Sequence, residues 1–264
     1  MISAFLERFR AMRRATVVDE IDRTRRFFDV PRSGSLRPLS PIQRFVFEQF
    51  ASLIPPGRVD QTAVDLGCHW GRYTRVLSET YGLVWGIDIA ATAIQSASAA
   101  PNVRYQVLDL EDPEQTLAFV TEADLFIAIG LLELLREPAQ LCARLGRLAR
   151  TGSRVLIVVP NRRSIHYRVF RLSLWGARSL LRRHSLFIYN NGVEVHDIVR
   201  WMVAAGFTMT RGGAVVGLPP SLAERLPDRV QRWALGFDRL LLRVLGGSYH
   251  WALLERHKVP CEFY

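Results

Sequence analysis

Three acidic residues at nearly equal intervals, each closing an apolar run, constrain this chain more than any other feature. The first run, Thr62–Leu66, carries Asp65; the second, Leu83–Ile89, carries Asp88; the third, Val103–Leu108, leads into Asp109. Asp65 and Asp88 lie 23 positions apart, Asp88 and Asp109 21. Each interval holds a helix-sized segment, as a right-handed strand–helix–strand unit needs. Parallel strands put their carboxyl ends on one edge of the sheet, and ligands bind there, where the strand order reverses. The spacing therefore predicts an α/β fold with its site at that edge.

The turn after the first run narrows the ligand. It reads Gly67-Cys-His-Trp-Gly71 and precedes a helix-like stretch. A dinucleotide site wants G-x-G-x-x-G, because a pyrophosphate sits on the helix N-terminus. That pattern is absent here, and so is G-x-x-x-x-G-K-[ST]; the one lysine is Lys258. An acid at the end of the second strand, roughly 20 residues past the glycine turn, can accept hydrogen bonds from both ribose hydroxyls. These features imply an adenosine-containing cofactor held without a phosphate cradle.

Further elements follow the same reading. Strands are predicted at Asp124–Ile129, Arg154–Val159, Thr208–Val216 and Tyr249–Glu255, and helices at Pro41–Leu53 and Glu194–Ala205. The chain divides into an N-terminal helical section, 1–58, and a cofactor-binding core, 59–160. A basic aromatic insertion, 161–193, precedes a core helix and strand, 194–216. A second helical insertion, 217–248, precedes the last strand and tail, 249–264. The N-terminal section has a helical stripe of Ile2, Phe5, Leu6, Phe9 and Met12. Ser221-Leu-Ala-Glu224 has a capping-box pattern, followed by Trp233, Phe237, Leu240, Leu241 and Val244 along one stripe.

Taken in order, the motifs resemble those of class I S-adenosylmethionine-dependent methyltransferases of the small-molecule type. Val64-Asp-Leu-Gly-Cys-His-Trp-Gly71 is similar to that family's h-D-h-G-C-G-x-G, Gly86-Ile-Asp-Ile89 to its second motif and Leu108-Asp-Leu-Glu-Asp112 to its third. Leu131-Leu-Glu-Leu-Leu-Arg-Glu-Pro138 resembles its V-L-E-H-L-x-D-P segment, and Ala204-Ala-Gly-Phe207 its A-x-G-F helix end. The resemblance implies a Rossmann-like, seven-stranded, mostly parallel sheet flanked by helices, with helical cap insertions. It implies S-adenosyl-L-methionine as cofactor, held by Asp65, Gly67, Cys68, His69, Gly71, Asp88, Ile89, Asp109, Leu110 and Ile129. Asp88 would take the ribose, Asp109 the adenine amino group and Leu110 the ring face. Two positions depart from the pattern. His69 stands where the family has glycine, although histidine is enriched among non-glycine residues at positive φ. Leu134 stands where it often has histidine.

Methyl transfer needs an acceptor aligned with the methyl carbon and water excluded. A hydroxyl or amine acceptor also needs a base, and the candidates are Glu133, after the fourth strand, and His196, at the start of the helix after the first insertion. His166, His184 and Tyr189-Asn190-Asn191 lie in that insertion. Several acceptor classes lack their residues. Ile129-Gly-Leu-Leu132 replaces the [DN]-P-P-[FY] of base-amine enzymes, one lysine cannot supply a Lys-Asp-Lys-Glu tetrad, and Cys142 reads as helical rather than as a loop nucleophile. No metal spacing is present around Cys68, Cys142 and Cys261. A small-molecule, glycan or lipid-linked acceptor remains, with O-methylation favoured.

Charge bears on partners. The formal net charge is +10, and from Pro138 to Val193 there are eleven arginines and no acid. Basic stretches interleaved with Trp, Phe and Leu suit anionic lipid headgroups, so a peripheral membrane contact is expected in a cytoplasmic setting, at the inner face of the membrane. Nucleic acid is disfavoured, since RNA methylation rests on charge alone. The other alternative is a non-catalytic protein of this fold that binds a partner or a membrane surface.

Overall fold

Five parallel strands and an antiparallel pair make one sheet. The computed structural model describes residues 38–97, 99–115, 117–164, 191–218, 220–223 and 226–257. The strands are β1 (Thr62–Leu66), β2 (Leu83–Asp88), β3 (Val103–Val107), β4 (Leu125–Ile129), β5 (Arg154–Pro160), β6 (Phe207–Val215) and β7 (Tyr249–Arg256). Their order is β3-β2-β1-β4-β5-β7-β6. β1 to β5 pair in parallel, and β7 lies antiparallel between β5 and β6. Strand order reverses between β1 and β4, so the carboxyl edge there is the expected ligand position. Each predicted strand is present, with ends that move by one residue at most.

Helices cover both faces. They are α1 (Pro41–Ala51), α2 (Arg72–Ser78), α3 (Ala91–Gln95), α4 (Pro138–Leu148), α5 (Val195–Ala204), α6 (Pro220–Ala223), α7 (Asp228–Leu235) and α8 (Asp238–Leu245). The central strands β1 and β4 read as near-continuous apolar runs because they are covered on both faces; Val64, Leu66, Leu125, Phe126 and Ile127 have no exposed surface. Leu141, Cys142 and Leu145 of α4 pack with Ile198 and Met202 of α5 on one side. Leu77 of α2 and Tyr81 pack on the other.

Local chemistry explains the helix that enters the core. Ser40 caps α1: its Oγ accepts from Gln43 N–H (3.3 Å), and Gln43 Oε1 accepts from Ser40 N–H (3.2 Å), with Pro41 in the first turn. The helix ends at Ala51, two residues before the expected end, where Ser52 N–H closes on Glu48 O. The expected cap at Ser221 is corrected: that residue lies inside α6, which already begins at Pro220. The N-terminal stripe, Glu224 and the interior of the first insertion, with His166, His184 and Tyr189, lie outside the described residues.

The two long connections at the carboxyl edge are tied at their stems. Asn161 N–H donates to Ser248 O and its Nδ2 to Gly247 O, both at 2.8 Å. Ser248 Oγ donates to Leu218 O (3.2 Å), and Asp238 Oδ1 accepts from Leu218 N–H (2.8 Å). Asn191 Nδ2 donates to Leu132 O and Leu135 O (2.8 and 2.7 Å), and Asn191 N–H to Glu133 O (2.9 Å).

Candidate active site

A cavity of about 530 Å³ opens at the carboxyl edge, where β1, β2 and β4 end. Its volume is in the range of small-molecule sites. The turn Gly67–Gly71 forms one wall. Gly67 and Gly71 both take φ +74, which an L side chain adopts only under strain. Gly67 and Cys68 N–H both donate to Ile87 O (2.8 and 3.0 Å), and Gly71 N–H donates to Cys68 O (2.8 Å). The turn is thereby bound to β2. The Tyr105 ring of β3 lies where a Cβ on Gly71 or Gly86 would stand, so these two glycines let it cross the turn.

His69 holds the place in which glycine was expected, and it takes φ +50, a left-handed conformation open to histidine. Its ring lies on Trp70, with centroids 4.1 Å apart, and both residues line the cavity. Its backbone also serves the site. His69 N–H donates to Asp88 Oδ2 and Ala90 N–H to Asp88 Oδ1, both at 2.8 Å. One carboxylate oxygen is thus fixed from the glycine turn and the other from its own strand end. Each oxygen keeps a second acceptor direction, since a carboxylate oxygen has two lone pairs.

The third acid is placed in the same way. Asp109 Oδ1 accepts from Glu111 N–H (2.9 Å), and Asp109 N–H donates to Gln115 Oε1 (2.9 Å). Glu111 Oε1 accepts from Arg136 and Glu137 N–H (2.5 and 3.1 Å), which draws the loop after β4 toward the loop after β3. Asp88, Ile89, Asp109, Leu110, Gly67, Cys68, His69 and Ile129 all line the one cavity. Asp65 does not. It is buried behind the turn, where Thr74 Oγ1 donates to its Oδ2 (2.6 Å), and burial pushes its carboxyl up to about 7. Gly71 also stands outside the lining and instead caps α2.

A profile of the methyltransferase domain family matches residues 39–211, well over half of the chain. The chain belongs to the class I S-adenosylmethionine-dependent methyltransferases. No curated protein matches its sequence. Solved structures similar to this methyltransferase share its fold at low identity. An N-methyltransferase, NodS, from Bradyrhizobium japonicum, in complex with S-adenosyl-L-homocysteine, superposes with TM-score 0.56 at 12% identity, covering 88% of this chain and 98% of that one. An S-adenosylmethionine-dependent methyltransferase from Mesorhizobium loti gives TM-score 0.55 at 14% identity, covering 81% and 98%. The geranyl diphosphate C-methyltransferase of Streptomyces coelicolor gives 0.52 at 15%, covering 82% and 78%.

The two expected bases of this methyltransferase sit in different settings. Glu133 belongs to a 3-10 turn, Leu132–Leu134, just after β4. It is 6% exposed, its Oε2 has no hydrogen-bond partner, and burial pushes its carboxyl up to about 7. It lies behind Gly130, which lines the cavity at φ +70; within 4 Å of the place for a Cβ on Gly130, Glu133 Oε1 is the one neighbouring atom, at 3.7 Å. His196 is more than half exposed and stands off the cavity, with its ring nitrogens 3.3 Å from Glu194 Oε2 and 3.5 Å from Asp197 Oδ1. Neither residue lines the cavity: Glu133 stands behind Gly130 of its wall, and His196 stands away from it.

The cavity also holds residues that the motifs did not reveal. Gln43, Val46 and Phe47 of α1, Tyr73 of α2 and Tyr249 at the start of β7 line it. Phe47 stacks on Tyr73 (5.1 Å) and Phe50 meets Tyr249 edge-on (4.8 Å). The available signal was Phe47 one turn before Phe50 in a capped helix just ahead of the first strand. Among the described residues no group of three or more His, Cys, Asp or Glu could hold a metal ion.

Proposed function

We propose that the protein transfers a methyl group from S-adenosyl-L-methionine to a hydroxyl of a small-molecule, glycan or lipid-linked acceptor. The observation that carries this reading is Glu133: a buried carboxyl with an unpartnered oxygen, directly behind the bare backbone of a cavity-lining glycine. The cofactor supplies an electrophilic methyl carbon on a sulfonium whose departure needs no acid. The site fits it, because the Asp88 carboxylate is already oriented by two N–H donors and keeps acceptor capacity for two ribose hydroxyls. Asp109 and Leu110 would hold the adenine, while Gly67, Cys68, His69, Ile89 and Ile129 form the remaining contact surface.

Glu133 takes the acceptor proton. A base is most effective when its pKa lies near the working pH, and burial moves Glu133 there. Phe47, Tyr73 and Tyr249 orient an apolar or aromatic acceptor and exclude water. Similar solved structures include a methyltransferase of geranyl diphosphate, a small molecule, which supports that acceptor class. The exposed apolar and basic face of α7–α8 supports a peripheral membrane contact. Among the described residues no helix is long and apolar enough to cross a membrane.

Glu133→Gln tests the role of the carboxyl. With an acceptor in hand, kcat falls by about 10²–10⁴ and the acid limb of the pH–rate profile near 7 disappears. S-adenosylhomocysteine affinity by calorimetry stays at the wild-type value. A variant with unchanged kcat removes Glu133 from the reaction, and methylated nitrogen in the product removes O-methylation.

A further inference from the structure

Packed against α1, α7 and α8 run almost without a break. Gly236 (φ −60, ψ −22) and Phe237 (φ −99, ψ 0) keep right-handed helical backbone between them. One step along such a helix is about 100° around it, so side chains at 3-4-3-4 spacing form stripes. Gln231, Ala234, Asp238 and Leu241 make the inward stripe. Gln231 Oε1 accepts from Ile42 N–H (3.1 Å), Asp238 Oδ1 accepts from Leu218 N–H, and Ala234 and Leu241 pack around Ile42.

One residue earlier at each step stand Val230, Trp233, Phe237 and Leu240, and the stripe continues to Val244. These five are 41%, 69%, 43%, 58% and 67% exposed. One residue earlier again, on the flank away from the body, stand Arg229, Arg232, Arg239 and Arg243, all exposed. Asp228 is the one exposed acid of the pair of helices, because Asp238 is buried. A soluble helix normally turns its apolar stripe to the core. Here the stripe beside the core-facing one is apolar as well, and it is bordered by cations.

We propose that the α7–α8 face docks on an anionic lipid bilayer. Charge selects this occupant. The segment before α1 carries nine arginines against five acids, and the whole chain is +10, so neither that segment nor a second copy complements the arginine flank. A nucleic acid would leave Trp233 and Leu240 uncovered. A bilayer accepts both parts: the apolar stripe enters the headgroup–acyl boundary, and the arginines extend along it to the phosphates.

The position of this face makes it useful. Ile42 of α1 holds α7, while Gln43, Val46 and Phe47 of the same helix, and Pro220 at the start of α6, line the cavity. Docking therefore brings the aromatic half of the cavity to the lipid surface. This deepens the reading of a lipid-linked acceptor and rests on it only for what enters the cavity, since lipid binding itself requires no methyl transfer.

Co-sedimentation with vesicles tests the proposal. At low salt the protein sediments with phosphatidylglycerol–phosphatidylcholine vesicles and not with pure phosphatidylcholine. Trp233→Glu combined with Leu240→Glu lowers the bound fraction at least about tenfold. Arg229→Glu with Arg232→Glu does so to a smaller extent and removes most of the salt dependence. Calorimetry with S-adenosylhomocysteine shows both variants folded and separates failure here from failure of the methyltransfer reading. Absence of wild-type binding to the anionic vesicles overturns the proposal. So does equal binding by the Trp233/Leu240 variant, or a dimer in sedimentation velocity that this variant dissolves.

Discussion

The two halves of the cavity are built differently. In the half proposed for the cofactor, the acids and the turn are fixed by hydrogen bonds to main chain: Asp88 by His69 and Ala90 N–H, Asp109 by Glu111 N–H, and the glycine turn by Ile87 O. In the half proposed for the acceptor, Phe47, Tyr73 and Tyr249 come from three separate elements and are held by ring contacts and apolar packing. The first half presents a directed polar pattern, which suits the proposed recognition of one ligand. The second offers a shaped apolar wall that tolerates exchange.

The strongest way to break this comparison is Asp88→Ala. It removes a charged acceptor of the kind whose hydrogen bonds are worth about 1.5–3 kcal/mol each, so S-adenosylhomocysteine affinity falls on the order of 10²-fold or more while the fold persists. Wild-type affinity by calorimetry would show that the cofactor half is not organised around this carboxylate.

Glu133 gives the next largest effect, on stability. Its ordinary value of 4.5 rises to about 7 in the folded chain. The unfolded chain therefore releases the proton first, and stability is greatest below about 4.5 and falls as the pH rises toward 7. The loss amounts to up to about 3 kcal/mol at one pKa unit per 1.36 kcal/mol. Asp65, raised from 3.8 to about 7, adds a loss in the same window. Denaturant unfolding of Glu133→Gln between pH 4 and 8 shows a flatter decline, with only the Asp65 part left.

Gly71→Ala sharpens the comparison on the turn. A Cβ at φ +74 costs about 1–2 kcal/mol and displaces the Tyr105 ring, so the midpoint of thermal unfolding drops and cofactor affinity falls with it. Phe47→Ala has the smallest effect. Loss of the ring pair is worth about 0.5–1.5 kcal/mol, which raises the acceptor KM several-fold and leaves cofactor affinity unchanged. A parallel loss of cofactor affinity would mean that the two halves are one coupled site.

What the sequence disclosed follows the same division. β1, β2 and β3, their three acids and the turn were readable because all the information lies within about fifty residues. Apolar runs, acids and glycines there repeat at the period the fold imposes. The positive φ of His69 was readable too, because few residues adopt it. The acceptor wall was not. Tyr249 and Phe47 gain their meaning only when β7 inserts between β5 and β6 and α1 packs against the ends of those strands, and long-range packing leaves no local pattern. The burial of Glu133 was equally hidden, since Leu132 and Leu134 flank it in any amphipathic turn. The expected cap at Ser221 failed because Pro220, a residue suited to a first helical turn, starts α6 one position earlier.

Hydrogen bonds from Asn161 to Gly247 and Ser248 tie the start of the first long connection to the end of the second, and those from Asn191 tie the first connection's other end to the turn around Glu133. Ends anchored in this way make each connection a replaceable cassette. Its interior can change length and chemistry over evolutionary time while Asp88 and Asp109 keep their places. The same anchored ends are natural splice sites for chimaeras, in which a foreign segment could be grafted onto this sheet.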